Sequence, residues 1–293
     1  MKFNFNYESP RVIAEIGCNH MGSVDTAKKL ILSAKKAGAG YVKFQKRNNK
    51  ELLTKEQYEA PHPVPENAYG SSYGEHREFL EFDVSQNREL KEYCDSLGVV
   101  FSTSVWDVTS AKEMITFEPD FLKVPSACNN NFEMLEVLRD KFKGQVQLSI
   151  GMTSKEELEA IVSFFEHTDQ AKSRLLIYSC TSGYPVPAKN VALLEINWLY
   201  DNYGDRVNSI GFSGHHLGIA LDISAYTLGA RWIERHFTGD RNWKGTDHAA
   251  SLEPNGLQNL IKGLNDTYMA LRFKDEEILP IELEQREKLK YRK

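Results

Sequence analysis

Eight short apolar or β-branched runs recur along this chain: VIAEIG (12–17), YVKFQ (41–45), VVFSTSV (99–105), DFLKVP (120–125), VQLSI (146–150), LLIYSC (175–180), NSIGFS (208–213) and WIERHF (232–237). Amphipathic stretches such as 26–38, 87–98, 154–167, 219–230 and 255–272 lie between and after them. Gly38 and Gly98 each fall just before a run, where a glycine C-cap ends a helix. Eight strands, each followed by a helix, predict an α/β protein with a single (β/α)8 TIM barrel. A doubly wound open sheet would usually show a Gly-rich turn after its first strand, and GCNHMGS is no G-x-G-x-x-G. The barrel is expected over 1–280, with 281–293 as a C-terminal tail whose basic end, KLKYRK, is frayed.

One connection breaks the rhythm. Residues 46–82 separate the second strand from its helix, and a loop that long inside a compact domain is usually functional or disordered. Tyr58, Tyr69, Tyr73, Phe79 and Phe82 within it favour an ordered lid or a subunit contact. A net charge of −5 argues against a nucleic-acid partner. The four cysteines form no C-x-x-C pair and read as free thiols, and no apolar run approaches a membrane span, so a cytoplasmic location is expected.

Active sites of such barrels lie at the C-terminal ends of the strands. Those ends carry Glu15; Lys43 and Gln45; Ser102 and Thr103; Lys123 and Ser126; Ser149; Tyr178, Thr181 and Tyr184; Ser213 and His215; and Glu234 and His236. One polar residue in an apolar run is most often a satisfied core group, but so many at one end are hard to explain that way. Two lysines among hydroxyls suit an oxyanion cradle for a phosphate and a carboxylate. Two histidines from the last two strands suit an open divalent-metal site that polarises a carbonyl. In GFSGHHLG (211–218), Ser213 and His215 share strand parity and should face the interior, whereas His216 points the other way and packs or caps. Milder readings apply elsewhere. The lysines of 26–37 form a solvated face, the four tryptophans pack (with Trp243 placed near Asp247), and His248 is an exposed loop residue rather than a third ligand.

The chain resembles the N-acetylneuraminate (sialic acid) synthase family. The resemblance rests on IAEIGCNHMGS (13–23), AGAGYVKFQ (37–45), YGEHREFLEF (73–82), LKVPSACNN (122–130), LSIGMTS (148–154), SCTSGYPVP (179–187), GFSGHH (211–216) and IERHFTGDRNWKGTDHAASLEP (233–254). It implies a transferase that condenses phosphoenolpyruvate with a hexose-type aldehyde (N-acetylmannosamine, mannose or its 6-phosphate). The products would be a nonulosonic acid and phosphate, with Mn²⁺ or Mg²⁺ as cofactor. By resemblance, Lys43, Lys123, Ser126, Ser149 and Ser213 hold phosphoenolpyruvate, and His215 and His236 hold the metal. Glu15, Tyr184 and Asp247 take catalytic roles, while Gln45 and Ser182 lie where the sugar binds.

Departures from the family pattern carry expectations too. Cys128 stands where the family has a glutamate, which leaves water activation to Glu15 or to the substrate phosphate. Ser182 replaces a family asparagine. Cys18 occupies a place similar to a metal-ligand cysteine of octulosonate 8-phosphate synthases, although packing is the preferred reading. The family commonly continues into a C-terminal antifreeze-like domain that reads the N-acyl group, and this sequence stops at LEQREKLKYRK, where a linker would begin. The expectation drawn is a protein that works without that reader on a sugar lacking the acetamido group, the alternative being a chain cut short. Other outcomes left open are a deaminated nonulosonate 9-phosphate or octulosonate 8-phosphate synthase, a metal-dependent lyase, and a non-catalytic sugar-binding barrel. A homodimer or higher homo-oligomer is expected.

Overall fold

A computed structural model describes residues 7–291. Eight strands close in sequence order into one all-parallel barrel: β1 Arg11–Gly17, β2 Tyr41–Lys46, β3 Val100–Val105, β4 Phe121–Val124, β5 Gln145–Ser149, β6 Leu175–Cys180, β7 Ser209–Gly214 and β8 Trp232–His236. Each coincides to within a residue with one of the eight apolar runs. The named amphipathic stretches are also helical, over Val24–Lys36, Val84–Leu97, Lys155–Glu166, Ala220–Thr227 and Pro254–Ala270. Helices Val108–Ile115, Phe132–Lys141 and Glu195–Tyr203 complete the outer ring. Capping fixes several ends: Ser154 and Glu157 form a capping box, and Gly98 closes its helix at φ +65°.

Alternation along the strands divides the core in two. Outward residues such as Val12, Ala14, Ile16, Val42 and Phe44 pack beneath the helices. Inward residues change character along the barrel axis. At the N-terminal end Ile13, Phe121, Leu176, Tyr178 and Trp232 make an apolar plug. Above it lies a neutral polar layer, where Tyr178 donates to Gln147 Oε1 at 2.7 Å and Ser102 donates to the Phe121 carbonyl at 2.7 Å. Gly211 leaves room for this layer, since a Cβ there would sit 2.6 Å from the Tyr178 ring. Charged and imidazole groups occupy the C-terminal end, so the plug shuts off water on one side and leaves one open face for chemistry.

The 46–82 excursion is an ordered, largely helical element. It holds helices Asn49–Leu52, Lys55–Glu59 and Tyr73–Leu80. Its aromatics dock it: Tyr69 stacks on Phe79 with centroids 4.8 Å apart and donates to the Lys244 carbonyl at 2.7 Å. Asn67 Oδ1 accepts from Gly245 N at 3.3 Å, so the excursion is tied to the loop after β8. Helix Pro280–Leu289 lies largely within the segment read as the C-terminal tail and buries none of its side chains. No helix among the described residues is long and apolar enough to cross a membrane.

Candidate active site

The C-terminal face encloses a cavity of about 330 Å³. Glu15, Lys43, Gln45, Lys123, Ser126, Ser149, Ser182, Tyr184, Ser213, His215 and His236 all line it. Of the residues to which the resemblance gives a role, Asp247 alone stands behind the wall, with Oδ2 3.9 Å from His236 Nδ1.

Four charges form the floor. Lys43 pairs with Glu15, donates to Ser104 Oγ at 2.6 Å, and lies 3.8 Å from Glu234 Oε2. Lys123 lies 2.5 Å from Glu234 Oε1, which also accepts from Ser213 Oγ at 3.0 Å. All four side chains are at most 6% exposed, and two lysines against two glutamates leave the floor neutral. That balance matters, because one unpaired ion at such depth would cost several kcal/mol. The two carboxylates differ. Burial lifts the Glu15 pKa above the ordinary range, with Lys43 pulling against it and Glu234 adding to it. Burial pushes Glu234 the same way, but Lys123 and Lys43 together outweigh it and hold the group at about 2. Burial also lowers the Lys123 pKa.

Above the floor stand hydroxyls and imidazoles. Ser149 Oγ is buried without a hydrogen-bond partner, a donor kept for something absent from the chain itself. Gly151 lets Ser126 and Ser182 come together, since a Cβ there would fall 2.9 Å from Ser126 Oγ and closer still to Ser182 Oγ. His215 and His236 face each other with ring centroids 5.4 Å apart. His215 Nδ1 lies 3.0 Å from the Thr181 carbonyl, which can only accept, so the proton sits on Nδ1 and the Nε2 lone pair is free. Burial, and then His236, depress the His215 pKa to about 3, so the ring is neutral and able to ligate. His236 Nδ1 is buried with no hydrogen-bond partner. These two imidazoles therefore fit a divalent metal. No group of three or more His, Cys, Asp or Glu side chains among the described residues could hold one, so water and substrate oxygens must complete the shell. Tyr184, half exposed, lies over the pair with its ring 4.4 Å from that of His215.

Several strand-end residues do not reach the cavity. Ser102 and Tyr178 belong to the neutral layer beneath, and Thr103 Oγ1 turns to the Ser104 carbonyl. Thr181 Oγ1 donates to the Asn190 carbonyl. His248 is a correction: expected in an exposed loop, it is buried and held 2.7 Å from Thr238 Oγ1. Trp243 packs edge-on to it, away from the cavity. His216 faces outward as expected, 3.2 Å from Arg235 and 3.3 Å from Asp222. Cys128 points away as well, with Sγ 3.8 Å from the Val105 carbonyl and its pKa pushed by burial to about 12.

Three features of the site carried no role in the sequence reading. Glu234 stands among the strand-end residues read from the sequence but without a role, and Ser104 shares parity with Ser102 on β3, so strand alternation could have found it. Arg77 stands outside the cavity lining, 3.4 Å from Cys18 Sγ, follows no local pattern and depends on how the excursion folds back.

Comparisons with known proteins agree with one another. Residues 30–276 match the NeuB family. The human N-acetylneuraminate-9-phosphate synthase is 36% identical over 278 residues, covering 95% of this chain and 76% of that protein. The N,N'-diacetyllegionaminic acid synthase of Campylobacter jejuni is 31% identical over 260 residues, covering 89% and 77%. A crystal structure of N-acetylneuraminic acid (sialic acid) synthetase from Leptospira borgpetersenii, in complex with citrate, superposes with a TM-score of 0.79. It is 28% identical and covers 97% of this chain and 94% of that one.

Proposed function

Because this chain belongs to the NeuB family, whose members join phosphoenolpyruvate to a sugar to make nonulosonic-type acids, we propose that its cavity condenses phosphoenolpyruvate with the open-chain aldehyde of a hexose-type sugar. The enzyme is a phosphoenolpyruvate-dependent synthase. The observation that carries the finer reading is the buried, neutral Lys43–Lys123–Glu15–Glu234 floor beneath paired imidazoles in one cavity. A pyruvate lyase working through a Schiff base needs one nucleophilic lysine, whereas two lysines with Ser126, Ser149 and Ser213 match the two anionic groups of phosphoenolpyruvate.

His215 and His236 would hold the metal, which when bound polarises the aldehyde oxygen. Lys43 and Lys123 bind the phosphate and carboxylate, and the buried Ser149 hydroxyl donates to one of them. Held so, C3 of the enol lies against the aldehyde carbon, and a bimolecular reaction becomes effectively unimolecular. The C3–carbon bond forms as water adds at C2. Loss of the C2–phosphate bond from the resulting tetrahedral centre releases phosphate and leaves the ketone. Glu15, the carboxylate with the raised pKa, moves protons between water and the new hydroxyl. Tyr184 and Asp247 position His215 and His236, and Gln45 and Ser182 orient the sugar hydroxyls. Mixing enzyme, phosphoenolpyruvate and Mn²⁺ with hexosamines, hexoses and their 6-phosphates tests this: phosphate release that requires one of these sugars supports it, and none with any sugar refutes it.

A further inference from the structure

The two imidazoles that fit a metal are not held alike. His236 is the last residue of β8, and the ladder pairs it with Glu15 of β1. His215 lies one residue beyond β7, whose ladder with β8 stops at Gly214 opposite Arg235. The chain then bends through 216–219 before helix Ala220–Thr227 begins. Two contacts from the β6 side reach His215 itself. Val186 N donates to its carbonyl at 2.9 Å, and its Nδ1 meets the Thr181 carbonyl at 3.0 Å. Neither bears on the bend that follows.

Arg235 does. Alternation turns it outward between Glu234 and His236, and its side chain is fully buried. Nη2 donates to the His216 carbonyl at 2.6 Å and Nη1 to the Gly218 carbonyl at 2.8 Å, so one planar fork spans the bend. Nη1 also pairs with Asp222, in the first turn of helix Ala220–Thr227, and lies 3.2 Å from His216 Nε2. Gly214 makes room for this grip, since a Cβ there would fall 2.9 Å from His216 Cε1 and 3.0 Å from Asp222 Oδ1. A buried ion pair is a weak source of stability, and this one leaves Arg235 Nε and Asp222 Oδ1 without hydrogen-bond partners. What it does supply is a fixed placement of the chain after β7 against β8.

We propose that Arg235 is a positioning residue for the metal site: its fork ties the 216–218 bend to β8 and so sets His215 against His236, the two rings standing 5.4 Å apart. This rests on the reading that the two imidazoles hold a divalent metal. No group of three or more His, Cys, Asp or Glu side chains among the described residues could hold one, so no further protein ligand compensates for a displaced imidazole. Groups behind the ligands fix ring position, and losing one typically costs about 10- to 100-fold in metal affinity. The sequence around each ligand then has one explanation. Gly214 precedes His215 and Arg235 precedes His236, and these two neighbours face each other across the ladder. Asp222 neutralises the fork that joins them.

The test measures Mn²⁺ binding by electron paramagnetic resonance of the free ion, and phosphoenolpyruvate binding as a Tm shift without metal. Lysine at 235 keeps a charge for Asp222 but offers no fork for two carbonyls. Arg235→Lys should therefore weaken Mn²⁺ binding about 10- to 100-fold. The phosphoenolpyruvate shift should stay as in wild type, because Lys43, Lys123 and Ser149 stand on other strands. Gly214→Ala should act in the same direction without altering Arg235, and it replaces Arg235→Lys in each comparison if that variant does not fold. Wild-type Mn²⁺ affinity in the variant overturns the proposal, and so does a parallel loss of both responses, which marks general loosening. Should wild type bind no Mn²⁺, the metal reading fails by itself, and the imidazole ¹⁵N spectrum decides the clamp. Loss of the His215 Nδ1–H signal in the variant supports it, and an unchanged His215 signal overturns it.

Discussion

Glu234→Gln should destabilise the protein by about 3 kcal/mol and make phosphoenolpyruvate a stronger stabiliser than it is for wild type. The amide keeps the shape of the side chain and an acceptor for Lys123 and Ser213, now 2.5 and 3.0 Å from Oε1. What disappears is one of two negative charges facing two buried lysines. Removing one partner of a buried pair costs about 3–5 kcal/mol. The lower end applies because Lys123, its pKa already lowered by burial, can shed its proton. For a chain of 293 residues that is roughly 5 °C in Tm, read by circular dichroism without metal or sugar. Phosphoenolpyruvate brings the missing anion, so its Tm increment should be larger in the variant. The wild-type protein should not imitate the variant in mild acid. With the Glu234 pKa held down at about 2, its contribution is complete above the ordinary carboxylate value of about 4.5 and is lost only as pH falls toward 2. A variant Tm within about 1 °C of wild type, or an equal phosphoenolpyruvate increment in both proteins, would refute the charge-balance argument.

Glu15→Gln should lower kcat by about 10²–10⁴ while leaving the phosphoenolpyruvate-induced Tm shift in place, which separates proton transfer from binding. His236→Ala should abolish the dependence of phosphate release on Mn²⁺ concentration, and a variant that keeps full metal-stimulated turnover sinks the metal assignment. Acid should weaken the fold from the ordinary histidine range downward. Burial holds His20 and His215 at about 3, so both stay neutral in the folded chain below the ordinary histidine value of 6.5. Below that value the unfolded chain takes up protons that the folded one refuses. Stability should therefore fall by up to about 1.4 kcal/mol per pH unit for each histidine between pH 6.5 and 3, measured by urea unfolding at stepped pH. A flat profile from pH 6.5 to 5 counts against their burial as neutral rings.

Strand count, order and boundaries were legible because an eight-fold repeat of apolar runs leaves little freedom in topology. The inward set was legible for a similar reason: alternation is strict, so Lys43 fixes Gln45, and Ser213 fixes His215. Height along the axis was harder to read. Ser102 and Ser104 have the same parity on β3, yet one belongs to the neutral layer and the other touches Lys43. Which of them reaches the cavity depends on the stagger between strands, which no single strand encodes. Long-range placement was harder still. Arg77 arrives on a helix from the excursion, and His248 is buried by a loop that folds over Thr238. Neither follows a period that a sequence displays.

The paired floor also bears on how the proton needed for the reaction is supplied. Without substrate, two lysines and two glutamates cancel. Phosphoenolpyruvate adds a carboxylate and a phosphate carrying roughly −1.5 to −2, which the same two lysines must now balance alongside both glutamates. Four fixed charges cannot neutralise that addition, so binding favours uptake of a proton by the carboxylate that gives up least. Glu234 is held ionised by both lysines, whereas Glu15 has Lys43 alone and a pKa already lifted by burial. The proton therefore belongs on Glu15, beside the reacting carbon, before the sugar alkoxide develops. Phosphoenolpyruvate binding should accordingly take up protons near neutral pH, seen as an enthalpy that changes with the ionisation heat of the buffer. Glu15→Gln should remove most of that dependence, and proton uptake that survives the substitution would place the titrating group elsewhere.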